Sequence, residues 1–195
     1  MRFSFLLVAS LLFLPTLGFS ATYQIDTAQS TIQWKATKVT GAHEGVIAIK
    51  SGNLRFEDGH FIGGRAEIDM ATIRVIDIQN EEMNKKLVKH LKSDDFFNVE
   101  QHPEAKIEIK EVQPINDHEY SIVADLSIKD VTKPIKFIAT VRLTEVEAIA
   151  QAEMTIDRTA FDIKYGSGKF FENLGDKMIH DEFTVTINIK ALKNK

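Results

Sequence analysis

The segment YSIVADLSIKD, residues 120–130, alternates without a break. One parity carries Tyr120, Ile122, Ala124, Leu126 and Ile128; the other carries Ser121, Val123, Asp125, Ser127 and Lys129. Successive side chains of a strand point to opposite faces, so this is a strand with one buried and one wet face. The same period governs IKFIATVRL (135–143), AQAEMTID (150–157) and FTVTINIKAL (183–192). Less regular alternation marks strands near 30–39, 45–56, 60–70 and 104–112. The count is eight.

The joints between them are short and carry turn chemistry at Asp58-Gly59, Asn116-Asp117 and Lys133-Pro134. Short joints pair neighbours antiparallel as a meander. A sandwich needs longer crossings between its sheets, whereas a meander closes on itself and so removes its exposed edges. The expected fold is all-β: an eight-stranded antiparallel barrel, with one short helix and a long loop before the last strand. The helix is NEEMNKKLVKHLKS, residues 80–93, where Met83, Leu87 and Leu91 recur every four residues with Val88 alongside. Asn80 suits the N-cap, Glu81 and Glu82 the first turn, and lysines the later turns. So narrow an apolar face needs a partner, and one end of the barrel supplies it.

The first twenty residues differ from the rest. Arg2 precedes a run that is apolar from Phe3 to Leu14 except at Ser4 and Ser10, Pro15 breaks it, and Gly18 and Ser20 stand before Ala21. This is the anatomy of a secretory signal peptide (1–20), too short to span a bilayer as a helix, and it predicts a periplasmic protein comprising residues 21–195. With no cysteine, disulfides, thiolate catalysis and a lipid anchor on cysteine are excluded. Loss of Arg2 with the leader leaves 23 basic against 28 acidic residues. An acidic chain without clustered Arg, Lys and aromatic residues is a poor nucleic-acid binder.

Candidate chemistry is sparse. The stretch YGSGKFFENLGDKMIHDEF (165–183) imitates a phosphate loop, but Ile163 stands where the first glycine belongs and Phe170 where Ser or Thr should follow Lys169. The six histidines show no His-x-x-x-His spacing, and neighbours such as His180-Asp181-Glu182 would point to opposite faces of a strand. No serine has the Gly-x-Ser-x-Gly setting of a hydrolase nucleophile. What remains is apolar surplus. Phe96-Phe97 and Phe170-Phe171 sit in long connections, while Ala66, Ala124, Ala139, Ala150 and Ala152 face inward. An eight-stranded barrel is just wide enough to be filled by side chains or to hold one slim ligand, and small inward residues favour a tunnel.

The segments YQIDTAQSTIQW (23–34), HLKSDDFFNVEQHPEAKI (90–107), LSIKDVTKPIKF (126–137), IDRTAFDIKYGSG (156–168) and NLGDKMIHDEFTVTINI (173–189) resemble the YceI-like polyisoprenoid-binding family nearly end to end. The resemblance implies a lipocalin-like barrel whose tunnel takes a long isoprenoid tail, such as that of a quinone or polyprenyl lipid, with no catalysis and no cofactor beyond that ligand. Many relatives carry His-Ser after the opening Asp; here Gln29-Ser30 stands there. Alternation then nominates Trp34, Ile68, Met70, Ile107, Ile122, Leu126, Phe137, Met154, Ile156 and Phe183 as tunnel lining, with Phe97, Phe170 and Phe171 as lids. Transient membrane contact through the helix lysines and a homodimer are compatible with this picture. Two other classes stay open: a metal-assisted envelope enzyme using His, Asp and Glu at the barrel mouth, and a stress-related module that binds a partner protein.

Overall fold

The computed structural model describes residues 19–193; the proposed leader, residues 1–20, lies outside it except for Phe19 and Ser20. Nine strands and one α-helix follow in the order β1 (Ser20–Ile25), β2 (Thr31–Lys38), β3 (Gly41–Glu57), β4 (His60–Val75), α1 (Glu81–Lys92), β5 (Glu104–Pro114), β6 (Glu119–Ile128), β7 (Val131–Leu143), β8 (Glu147–Asp157) and β9 (Ile179–Lys193). All pairings are antiparallel, and β2 through β9 close into a barrel because β9 returns to pair with β2. The ninth strand does not widen it. β1 pairs with the last part of β3 and the end of β9, while β2 pairs with the first part of β3 and the start of β9. The two short strands therefore share one position in the wall, one below the other. Asp26 makes the joint by accepting from the Ala28 and Gln29 amides, both at 3.1 Å.

At roughly 3.3 Å per residue, β3 with its 17 residues is long enough to make an elongated barrel. The ends differ. Tight connections at 58–59, 115–118 and 144–146 form the base. The top carries the β2–β3 turn, α1 with its following loop, the β6–β7 turn, and the segment from Arg158 to Met178. Asp58 and Gly59 both adopt positive φ, as the expected hairpin requires. The joint expected at Lys133-Pro134 lies four residues earlier. Lys129 and Asp130, both left-handed, make the turn, and Pro134 sits inside β7 opposite Asp125. An Asp can adopt the left-handed conformation that the sharpest hairpins need, so the turn forms without glycine.

Helix α1 has the expected cap, the Asn80 side chain accepting from the Met83 amide at 3.0 Å. Its buried face is rotated from the expected one. Met83 is 63% exposed, while Asn84 faces the barrel and donates to the carbonyls of Val75 and Ile78. The helix must satisfy the chain leaving β4 as well as bury apolar area, and an amide does the first where a thioether cannot. Leu87, Val88 and Leu91 pack on the upper core as the periodicity requires.

Candidate functional site

The barrel interior divides into two apolar cavities, one above the other. The upper is about 140 Å3 and is walled by Trp34, Met70, Leu126, Met154, Ile156 and Phe183, with Leu91, Phe96, Phe97 and Ile163 closing it above. The lower is about 100 Å3 and is bounded by Leu54, Phe61, Ile122, Phe137 and Val141, with Ala66, Ala139, Ala150 and Ala152 among them. Ile32, Ile68, Ile107 and Ile187 border both and form the neck between them. The floor is aromatic. Tyr23, Phe56, Phe61 and Tyr120 follow one another with ring centroids 5.2, 5.5 and 5.6 Å apart, edge-on or tilted, an arrangement that aligns ring edges with ring faces. The Tyr23 hydroxyl donates to the Thr144 carbonyl at 3.1 Å, so the floor is tied to the β7–β8 turn. Access is thus from the top.

Of the residues nominated from the sequence, Trp34, Met70, Phe97, Leu126, Met154, Ile156 and Phe183 line the upper cavity, Ile122 and Phe137 the lower, and Ile68 and Ile107 both. Phe170 and Phe171 stand apart. They are 49% and 47% exposed and border neither cavity, and Lys164 lies over the Phe170 ring at 5.3 Å. The covering residues are instead Phe96, beside the nominated Phe97, and Ile163. Phe96 packs against His90 and Tyr165, with centroids at 4.9 and 5.4 Å, which joins the helix to the long loop. Ile32, Val185 and Ile187 were legible as lining because they share parity with Trp34 and Phe183; Leu91 and Ile163 come from irregular approaches that alternation does not describe.

The Trp34 indole lies over Gly45, directly across on β3, which leaves room for the ring because it has no side chain. A Cβ there would collide with the indole ring and with the Arg74 carbonyl. The indole N–H is buried and lacks a hydrogen-bond partner among the described residues.

One charged side chain also borders the upper cavity. Arg158, 5% exposed, donates to the carbonyls of His180 (3.0 Å), Ile163 (2.8 Å) and Ile179 (3.1 Å) and faces Asp181 at 3.6 Å. Lys169 bridges Asp157 at 3.1 Å and Asp181 at 3.2 Å. Burial alone would push the Asp181 carboxyl up, but Ser167, Lys169 and Arg158 together hold it below the ordinary carboxylate range. Asp157 behaves alike: burial opposes ionisation, and Thr159 and Lys169 more than offset it. Ser167, the serine of the glycine-rich stretch, is fully buried, and its hydroxyl accepts from the Lys169 amide at 3.2 Å. The apparent phosphate loop is therefore a structural plug. It is held over this corner by buried hydrogen bonds, with left-handed Gly166 providing the bend. Among the described residues no group of three or more His, Asp or Glu side chains comes together as a metal site would require.

Comparison with known proteins agrees with this architecture. Residues 23–191 match the YceI-like domain. A UPF0312 protein of Shewanella denitrificans is 34% identical over 133 residues, 67% of this chain and 66% of that protein's length, so the match stops short of two thirds of the relative. The crystal structure of Burkholderia cenocepacia BcnA superposes with a TM-score of 0.68 at 18% identity, covering 86% of this chain and 99% of that one. A polyisoprenoid binding domain from Saccharophagus degradans, implicated in plant cell wall breakdown, gives 0.66 at 12% identity, covering 89% and 99%. At such identities the two structures speak for the fold. With the domain match spanning nearly all the described residues, the chain belongs to the YceI-like family.

Proposed function

We propose that this protein binds a long-chain isoprenoid lipid, such as a quinone or a polyprenyl compound, within the barrel and carries, stores or senses it without catalysis. The observation that supports this most directly is the pair of stacked cavities, walled almost wholly by hydrocarbon and joined through a neck of isoleucines. The polyisoprenoid binding domain that shares the fold points the same way. Each methylene leaving water contributes about 0.8 kcal/mol, so a chain of isoprene units has a large gross driving force. Ordering the tail and extracting it from a membrane cancel much of it.

Size adds a condition. An apolar cavity of about 150 Å3 accepts one benzene, so the upper cavity as it stands holds a group of that size and the lower rather less. A long tail must push back the cover formed by Leu91, Phe96, Phe97 and Ile163. Residues 1–20 are read as a cleaved leader on their own composition, which places the work in the periplasm, where transient contact with a membrane would load the barrel; a homodimer is compatible with it.

Native mass spectrometry of the protein purified from its own envelope, with solvent extraction of bound material, tests the proposal. A stoichiometric isoprenoid on a chain beginning near Ala21 is expected. A protein that comes out empty and takes up neither quinones nor polyprenols removes the basis for lipid binding.

A further inference from the structure

The wall of the barrel is interrupted beside the upper cavity. Along β2 and β9 the pairing runs regularly from Thr31 opposite Asn188 to Ala36 opposite Phe183, then resumes only at Lys38 opposite Ile179. Three residues of β9, His180, Asp181 and Glu182, thus lie across from Thr37 alone, and a bulge of this size breaks the ladder locally. Arg158 donates to the carbonyls of His180, within the break, and of Ile179, at its edge, which satisfies backbone acceptors where the ladder is interrupted. Outside this gap lies a polar groove bordered by Lys35, Thr37, Thr155, Lys169, Asp181 and Glu182. His180 and Phe183 border both this groove and the apolar cavity. The cavity and the groove therefore meet at His180, inside the stretch that has lost its pairing with β2, and at Phe183, the paired residue at its edge.

We propose that this groove over β8, β9 and β2 is the headgroup subsite: the tail lies in the barrel, the chain passes through the wall at the break, and an uncharged, oxygen-bearing head rests against Thr37, Thr155, Lys169 and His180. The proposal rests on the isoprenoid reading and adds to it a place and a chemistry for the head. The groove offers hydroxyl, ammonium and imidazole groups to carbonyl or hydroxyl oxygens. Among the described residues it does not offer surplus positive charge. Lys35 is paired with Glu44 at 2.8 Å, Lys169 with Asp157 and Asp181, and Glu182 adds a further carboxylate. A phosphate or diphosphate head would meet carboxylates with no unpaired lysine of the groove, among the described residues, to balance it. A quinone or phenol head asks for no such cation.

The test uses the whole chain stripped of lipid and its single tryptophan, Trp34, which lines the upper cavity and reports occupancy by its emission. Three probes are titrated: ubiquinone-2, geranylgeranyl phosphate, and farnesene, which has no headgroup. Thr37→Phe and Thr155→Phe, both at exposed strand positions, fill the groove and leave the cavity lining intact. Each should weaken ubiquinone-2 by about ten-fold, the loss of one or two hydrogen bonds, and leave farnesene unchanged. Glu182→Lys should tighten geranylgeranyl phosphate by about ten-fold without strengthening ubiquinone-2. Groove variants that bind all three probes as the wild type does would overturn the subsite while leaving the tail cavity standing. A wild type that prefers the phosphate probe would overturn the uncharged head. Failure of every probe to bind the wild type would instead sink the isoprenoid reading, and the subsite with it.

Discussion

Replacing Arg158 with methionine keeps most of the side-chain length and removes the guanidinium. Three carbonyls, at Ile163, Ile179 and His180, then lose a donor they hold at 2.8–3.1 Å, and Asp181 loses its buried counter-charge. Each such hydrogen bond contributes on the order of 1 kcal/mol net, and breaking one side of a buried pair costs about 3–5 kcal/mol. Lys169 still faces Asp181, which limits the second effect. A loss of about 3–5 kcal/mol is therefore expected, a large share of the roughly 5–15 kcal/mol that stabilises an ordinary domain. Urea unfolding at neutral pH, followed by Trp34 fluorescence, measures it. Arg158→Lys should recover only part, because one ammonium cannot reach carbonyls on both the long loop and β9 as a planar fork does.

The damage should also be local. Amide exchange should quicken over residues 163–181, which Arg158 ties together, and stay slow in the base strands around Tyr23, Phe56 and Phe61. A loss below about 1 kcal/mol, with exchange unchanged in that segment, would refute the view that Arg158 replaces the strand pairing missing at the break.

Acid should act at the same corner. Asp157 and Asp181 are held below the ordinary carboxylate range, so their contribution is complete above the unfolded value, near pH 4, and is lost as pH falls through their lower folded values. Urea midpoints should be flat from pH 7 to about 5 and fall below about pH 4, less steeply in Asp181→Asn; a decline beginning near pH 6 would point to histidine instead. Gly45→Ala should cost about 3 kcal/mol in thermal or urea unfolding, since its methyl collides with the Trp34 ring and with backbone; a neutral effect would mean that the indole is free to swing away. Ala152→Leu projects into the lower cavity and should discriminate by tail length, weakening long polyprenols by about ten-fold while two-unit isoprenoids bind as before; equal loss for both would contradict the stacking of the two cavities.

The strands were legible because a closed barrel buries one face of each, and the parity of residues such as Ile122, Leu126, Met154 and Ile156 records that directly. β1 was not recognised as a strand, since what makes it one is its position: it occupies the lower half of the place that β2 fills above. The long loop misled for a related reason. Phe170 and Phe171 look like a cover because exposed aromatics are disfavoured, yet the loop is anchored by Ser167 and Arg158 and offers Ile163 to the cavity instead. Arg158 itself lies in sequence among residues suited to a polar turn. Nothing in the spacing shows that two of the three carbonyls it serves come from the edge of a bulge some twenty residues later.

The alanines carry the remaining step. At about 24 cal/mol per Å3 of unfilled core, the upper cavity of about 140 Å3 costs roughly 3 kcal/mol and the lower, of about 100 Å3, roughly 2. Larger residues at Ala66, Ala139, Ala150 or Ala152 would recover part of this with no change of fold. Leaving them small retains the cost of the lower cavity, a sizeable share of the stability of a marginal domain. The aromatic floor just beneath shows that this chain packs large side chains closely where closure is needed. Space left open above such a floor is better explained by an occupant that restores the lost contacts than by imperfect packing. The neck of Ile32, Ile68, Ile107 and Ile187 sets the shape of that occupant: it must be thin enough to pass between isoleucines and long enough to lie in both cavities.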